Sequence, residues 1–189
     1  MTCTVKAISR STSTVKLTVR MEGQTKQYRI LAADEKAAGP FAAEDAIKVE
    51  ILETLAARYD AVKRALSILS FGDNSVFSLQ KKLKERGVCD ENAKFAARLM
   101  LKQGYIKETE QAVRKAVRLY EEKDYGPARI RAKLAAEGYG ESDIEFALKQ
   151  LRQDAAVDFA QKAKKLYEAY LRAGDTPDKA KAKLYRMGY

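Results

Sequence analysis

The stretch RIRAKLAAEGYG, residues 129–140, contains a short pattern, K-L-x-x-x-G, that occurs three times in this chain. It reads KLKERG at 82–87, KLAAEG at 133–138 and KLYRMG at 183–188, with separations of 51 and 50 residues. Self-similarity at such a period is typical of repeat proteins. A glycine just after a helix adopts the left-handed conformation without steric cost and lets the last carbonyl groups be satisfied. The pattern predicts three copies of a short helix that ends at glycine.

The copies also match outside this pattern, on the apolar positions. A shift of 51 residues places Leu79 on Ile130 and Leu83 on Leu134. We expect each copy to contain a first helix, the short middle helix and a third helix that covers the apolar stripe. Asp90 and Glu141 open the third helices, and we expect acidic side chains there to accept free N–H groups. The first helices are expected at 62–71, 108–123 and 155–172, and the third copy ends at Gly188-Tyr189 before a third helix.

The first sixty residues have a different character. CTVKAIS, STVKLTVRM and QTKQYRIL are rich in Thr, Val and Ile and partly alternate, which favours strands exposed on one face. Glu22-Gly23 predicts a tight turn between the second and third strands. We expect a loop at 34–40 and then a helix from Ala43 to about Tyr59.

The predicted fold class is therefore mainly α. Tandem three-helix repeats form an elongated, curved array, preceded by a small N-terminal β-hairpin or sheet plus helix. The predicted domains are the sheet and helix at 1–61, repeat 1 at 62–106, repeat 2 at 107–153 and an incomplete repeat 3 at 154–189.

The charge of the chain is strongly positive, +10 from 36 basic and 26 acidic residues. Residues 62–189 contain 27 basic and 18 acidic side chains, so nine of the ten excess charges lie in the repeats. Such a surplus favours polyanions, acidic protein surfaces or anionic lipid as partners.

Several classes of chemistry are excluded by composition. The absence of histidine removes His-based acid/base catalysis, His-activated nucleophiles and His-containing zinc sites. Two isolated cysteines make neither a disulfide framework nor a four-thiolate metal site, and we expect Cys89 to be a semi-buried apolar residue. No phosphate-binding glycine loop is present. We predict no enzyme, no metal and no cofactor.

No apolar stretch is long enough for a membrane span, and the first residues lack the apolar run of a signal peptide. We therefore expect a cytoplasmic protein without a membrane partner.

The lysine beside the core leucine is less easily explained by folding than the leucine and the glycine are. Repetition would place successive basic groups along one edge of a stacked array, as repeat proteins do with binding residues. The alternative is that each lysine lies over its own bundle and keeps the surface soluble. We call the candidate binding residues the basic edge, and they are Lys82, Arg86, Arg129, Arg131, Lys133, Lys179 and Lys183.

Tyrosines accompany the basic residues. Tyr105, Tyr139 and Tyr189 each follow a helix-ending glycine, with others such as Tyr185 nearby. Aromatic rings among cations can stack on unpaired bases or anchor a protein interface. We expect Tyr139 instead to cover a helix junction.

Three passages within the repeats that cover 62–189 share a further pattern with known proteins: FSLQKKLKERG at 77–87, LKQGYI at 101–106 and YGPARIRAKLAAEGY at 125–139. They resemble the RecX family of bacterial regulators of the RecA recombinase. The chain departs from the family at Lys107, Glu108 and Gln111, where the family usually has an acidic pair and an aromatic residue.

The resemblance implies a non-enzymatic protein that binds RecA and its single-stranded DNA filament and restrains ATP hydrolysis and strand exchange. It leaves open whether the basic edge contacts DNA phosphates or acidic groups of the recombinase. We expect a monomer. The alternative is a general basic nucleic-acid binding module without a recombinase partner.

Overall fold

The computed structural model describes all residues, 1–189, and places them in two compact units. The first unit contains Met1–Gly72 and Leu79–Gln103, and the second contains Asp73–Ser78 and Gly104–Tyr189. Most of the chain is helical and one sheet lies at the N-terminus, as predicted.

The sheet of the first unit has four antiparallel strands in the order β3-β2-β1-β4. Alternate residues of β2, Val15, Leu17 and Val19, are buried, because side chains of a strand point to opposite faces. Glu22 and Gly23 have φ values of 49° and 81°, which confirms the predicted tight turn between β2 and β3. The strands are β1 (Thr2–Arg10), β2 (Thr14–Met21), β3 (Gln24–Leu31) and β4 (Ala46–Lys48).

The region after the third strand differs from the prediction. Residues expected as a loop form α1 (Ala32–Ala38), whose sequence AADEKAA consists of good helix formers. Buried Glu35 accepts hydrogen bonds of 2.7 and 3.0 Å from Arg10, which fixes this helix to β1. The expected helix start at Ala43 was wrong as well. Strand pairing of Ile47 with Cys3 overrides the helical spacing there.

The next helix is also longer than expected. The predicted end near Tyr59 and new start at 62 were wrong, because α2 (Val49–Leu69) runs without interruption. This stretch has neither glycine nor proline, and its buried positions Leu52, Leu55 and Val62 continue at helical spacing. The division into four sequence segments stays a prediction.

The helical part of the first unit is packed through small residues. Ala61 and Ala65 of α2 and Ala93 and Ala96 of α4 are buried, which permits a close approach of the two helices. Leu79 and Leu83, the predicted core leucine positions, are fully buried. The helices are α3 (Val76–Glu85), whose first three residues belong to the second unit, and α4 (Asp90–Lys102).

The second unit is entirely helical. Its core is formed by α5, α6 and α7, and both Ile130 and Leu134 are fully buried in it, as the repeat pattern predicted. The expected first helices are confirmed at α5 and, with a later start, at α8. The helices are α5 (Glu108–Lys123), α6 (Pro127–Ala136), α7 (Glu141–Gln153), α8 (Phe159–Arg172) and α9 (Pro177–Met187).

The starts of the third helices correct two expectations. Asp90 and Glu141 lie in the first turns, but the N-cap residues are Cys89 and Gly140, and neither makes a side-chain cap hydrogen bond. The acidic residues therefore favour these helices through the helix dipole. Cys89 is exposed at this cap, so the expectation that it is semi-buried was wrong.

Candidate functional site

The three pattern glycines all adopt the predicted left-handed conformation. Gly87, Gly138 and Gly188 have φ values of 79°, 80° and 92°. Their surroundings differ, since a Cβ atom added to Gly87 would meet nothing within 4 Å. Gly138 and Gly188 have a second role, which is to let the end of one middle helix contact the start of another.

The first junction is the contact of Gly138, after α6, with the start of α3. A Cβ atom on Gly138 would lie 2.3 Å from the Cβ atom of Phe77, so only glycine fits. Buried Ser75 fastens the same contact: its hydroxyl accepts a 3.0 Å hydrogen bond from the Ser78 N–H and donates to the Glu137 carbonyl. One side chain thus caps α3 and holds the end of α6.

The second junction is the equivalent contact of Gly188, after α9, with the start of α6. The Gly126 N–H donates to the Met187 carbonyl at 2.8 Å, and the Ala128 N–H donates to the Gly188 carbonyl at 3.3 Å. A Cβ atom on Gly188 would lie 2.3 Å from the backbone nitrogen of Arg129. In its second and third copies the pattern therefore provides both a helix end and a contact with the preceding middle helix.

The basic edge is distributed over both units. Lys82 and Arg86 belong to the first unit and are exposed, and the carbonyl of Arg86 accepts a hydrogen bond from Arg64. The other five residues of the basic edge belong to the second unit, on α6 and α9.

Two of these five are neutralised inside the second unit. Arg131 is paired with Glu145 and Glu141, and the hydrogen bond to Glu145 is the main reason that the pKa of its guanidinium is raised. Lys183 is paired with Asp175, and its Nζ lies 5.1 Å from the centre of the Tyr170 ring. The charges of Arg131 and Lys183 therefore hold neighbouring elements together.

The remaining three are not neutralised by an acidic side chain. Arg129, Lys133 and Lys179 are exposed and have no carboxylate oxygen within 4.0 Å. The guanidinium of Arg129 lies over the ring of Tyr125, at 5.5 Å from its centre. These three residues form the unneutralised part of the basic edge.

Two further sets of cations were missed by sequence reasoning. Arg186 is exposed near the second junction without a carboxylate partner. On α4, Lys94, Arg98 and Lys102 border an open cleft of about 440 Å³ beside Phe95. The spacing of four residues in 94, 98 and 102 was the signal that could have identified this row.

The environment of Lys94 shows how the row is anchored. Its Nζ lies 2.7 Å from a carboxylate oxygen of Asp90. Hydrogen bonds from Lys94 and then Lys84 lower the pKa of the Asp90 carboxyl. In the same cleft the guanidinium of Arg58 lies 5.0 Å from the centre of the Phe95 ring.

The tyrosines divide into buried and exposed rings. Tyr139 is buried in the core of the second unit, and burial raises the pKa of its phenol to about 12. It covers the end of α6, as expected. Tyr105 and Tyr185 are 56% and 82% exposed, so neither ring is needed to fill a core.

No three Cys, Asp or Glu side chains are grouped so that they could hold a metal ion. None of its helices combines the length and the apolar character that crossing a membrane requires.

Known proteins resemble this chain in sequence and in fold. No family model matches. Regulatory protein RecX of Pseudomonas putida (strain W619) is 31% identical over 120 residues, which are 62% of this chain and 72% of that protein. A second regulatory protein RecX, from Pseudomonas putida, is 29% identical over 118 residues, 62% of this chain and 79% of that protein.

One solved structure has the same fold over nearly the whole chain. The crystal structure of a regulatory protein RecX aligns with a TM-score of 0.75 and 20% identity, covering 99% of this chain and 94% of the other. The structural match establishes the architecture, and the sequence match over 72% of a curated relative establishes descent. The chain belongs to the RecX family of regulatory proteins.

Proposed function

We propose that this protein binds the RecA recombinase and its single-stranded DNA filament and inhibits ATP hydrolysis and strand exchange. Membership of the RecX family supports the recombinase as partner. The observation that carries the proposal is that Arg129, Lys133 and Lys179 remain exposed and unneutralised on successive middle helices. A polyanionic partner would pair with cations that the folded unit leaves unneutralised.

The chemistry of the contact follows from these cations. Exposed Lys and Arg groups that approach DNA phosphates release condensed counterions, which makes binding favourable and dependent on salt. The same groups can steer the protein towards an acidic protein surface. A protein held along the filament restrains the recombinase by binding alone, so we infer that it is not an enzyme. We also propose that it acts as a monomer.

The test compares two variants with the same change of charge. Lys133→Glu with Lys179→Glu reverses two unneutralised cations of the basic edge. Lys36→Glu with Lys48→Glu reverses two exposed lysines of the first unit that also have no carboxylate within 4.0 Å. The assay is ATP hydrolysis by RecA on single-stranded DNA with increasing amounts of each protein.

We expect the first pair to need at least about tenfold more protein for half-inhibition, since two lost charge contacts of about 0.7 kcal/mol each amount to that factor. The second pair should match the wild type. Equal inhibition by all three proteins would show that the basic edge is not the contact. No inhibition by the wild type at saturating concentration would reject the proposed function.

The general nucleic-acid binding module makes a different prediction. It would bind single-stranded DNA without the recombinase and with a steep salt dependence, and it would leave the ATP hydrolysis of the recombinase unchanged. Measuring both quantities on the same preparation separates the two functions.

A further inference from the structure

The second junction contains a shallow hollow. Its lining comes from α6, from α9 and from the two residues that follow α9, and consists of Ala128, Arg129, Ala132, Tyr185, Arg186, Gly188 and Tyr189. The hollow has a volume of about 350 Å³ and opens to solvent. We call it the junction hollow.

The two junctions differ in the side chain that lies beside the glycine. At the first junction the Phe77 ring packs over the glycine, since its Cγ and Cδ1 would lie 2.5 and 2.7 Å from a Cβ atom on Gly138. At the second junction Gly188 meets the backbone and the Cβ atom of Arg129 instead. The shift of 51 residues that superimposes Leu83 on Leu134 places Phe77 on Ala128, so the lining of the hollow has a methyl group where the first copy has a ring.

The side chain of Tyr185, which lines the hollow, has no role in packing. Tyr185 is 82% exposed and belongs to α9, and earlier copies have Ala135 and Lys84 at this position. Its ring leaves apolar surface in contact with water, and a flat ligand placed in the hollow would cover that surface.

Two arginines that line the hollow are not neutralised by a carboxylate. Arg129 and Arg186 have no carboxylate within 4.0 Å, in contrast to Arg131, which is neutralised by two glutamates. The ligand is therefore expected to combine a flat, partly apolar group with negative charges on either side. An unpaired base between two phosphates has this chemistry, since its faces are free to stack on an aromatic ring.

We propose that the junction hollow binds one unpaired base of single-stranded nucleic acid, stacked on Tyr185, with the flanking phosphates on Arg129 and Arg186. The small side chains of Ala128 and Ala132 and the absence of one at Gly188 leave room for the base beside the backbone of the junction. The inference deepens the proposed function and rests on its claim that the chain meets single-stranded DNA.

The test uses two fluorescently labelled strands with the same number of phosphates, a deoxythymidine oligonucleotide and an abasic strand. Tyr185→Ala should raise Kd for the deoxythymidine strand about 5- to 150-fold, as expected for the loss of one base–aromatic stack. It should leave Kd for the abasic strand unchanged, because no base is present to stack. Tyr185→Phe keeps a ring and should bind both strands as the wild type does.

Two further variants control for indirect effects. Ala128→Phe restores the ring of the first copy, fills the hollow and should weaken binding of the deoxythymidine strand while helix content by circular dichroism stays the same. Tyr105→Ala removes another exposed tyrosine of the second unit and should change neither Kd.

The outcomes separate this inference from the proposed function. Unchanged affinity of Tyr185→Ala for the deoxythymidine strand, or equal loss on both strands, would overturn the base-binding site. If that variant loses only its inhibition of the recombinase, the hollow takes a protein side chain: the inference fails and the proposed function stands. If the wild type discriminates the strands but does not inhibit the recombinase, the inference stands and the proposed function fails.

Discussion

Replacing Gly138 by alanine tests the idea that this glycine, besides ending α6, is a contact point between two copies of the pattern. The backbone at Gly138 has a φ of 80°, so any L-residue there is strained. The added Cβ atom would also lie 2.3 Å from the Cβ atom of Phe77, a separation that real Cβ atoms do not reach. The variant therefore combines a backbone cost with a steric cost.

The two costs can be estimated separately. An alanine in the left-handed region costs about 1 to 2 kcal/mol. Forcing an extra carbon into a closed contact typically costs about 1 to 3 kcal/mol more, because neighbouring atoms must move. Since the nearest atom is a Cβ rather than the tip of a flexible chain, a rotamer change of Phe77 does not relieve the clash. We expect Gly138→Ala to lower the free energy of unfolding of the second unit by about 2 to 5 kcal/mol.

Gly174→Ala is the matched control. Gly174 lies in the same unit, has a φ of 90°, and has no atom within 4 Å of the added Cβ. It carries the backbone cost alone, about 1 to 2 kcal/mol. Gly87→Ala is the corresponding control within the repeated pattern, because its φ is 79° and its surroundings are also empty.

The assay is urea denaturation followed by far-UV circular dichroism, with all three variants compared with the wild type at constant slope. Gly138→Ala should lose clearly more stability than either control. Equal losses for the three variants would refute the reasoning, because the glycine would then serve only the helix end.

The remaining predictions concern the core and the phenol groups of the second unit. Leu134→Ala should lower the free energy of unfolding by about 2 to 4 kcal/mol, because it leaves a cavity in a fully buried position, and urea denaturation checks this. Tyr189→Phe should leave stability unchanged or raise it by up to about 1 kcal/mol, since the Tyr189 hydroxyl is buried without a hydrogen-bond partner; a loss in thermal unfolding would show that this hydroxyl is satisfied in solution. Burial raises the folded-state pKa of Tyr139 from 10.0 to about 12. The stability that this raised pKa contributes is fully present below pH 10 and is lost as pH rises through 12. The unfolding midpoint of the wild type should therefore fall between pH 10 and pH 12, and that of Tyr139→Phe should fall less steeply.

The sequence predicted the middle helices well because three local signals agree there: the apolar spacing, the helix-ending glycine and the repeat itself. It failed between residues 32 and 48, where strand pairing of Ile47 with Cys3 and the ion pair of Glu35 with Arg10 decide the structure. Both partners are distant in the chain, so local patterns carry no sign of them.

The candidate site was predictable in kind but not in detail. The position of Lys133 beside Leu134 identified an exposed basic group, and the structure places it in solvent. Whether a cation is neutralised depends on the distance between helices, which is why Arg131 with Glu145 and Lys183 with Asp175 could not be foreseen. The junction hollow required knowing that Gly188 contacts Arg129.

The second junction is made by main-chain atoms, with Gly126 and Ala128 donating to the carbonyl groups of Met187 and Gly188. Because these hydrogen bonds use main-chain atoms, the junction places few requirements on the neighbouring side chains, provided that the glycine is kept. Copies linked in this way are free to diverge in surface chemistry while the linkage persists. The same property would let an engineer exchange the outward-facing residues of one copy, or splice in a copy of different charge, without redesigning the joint.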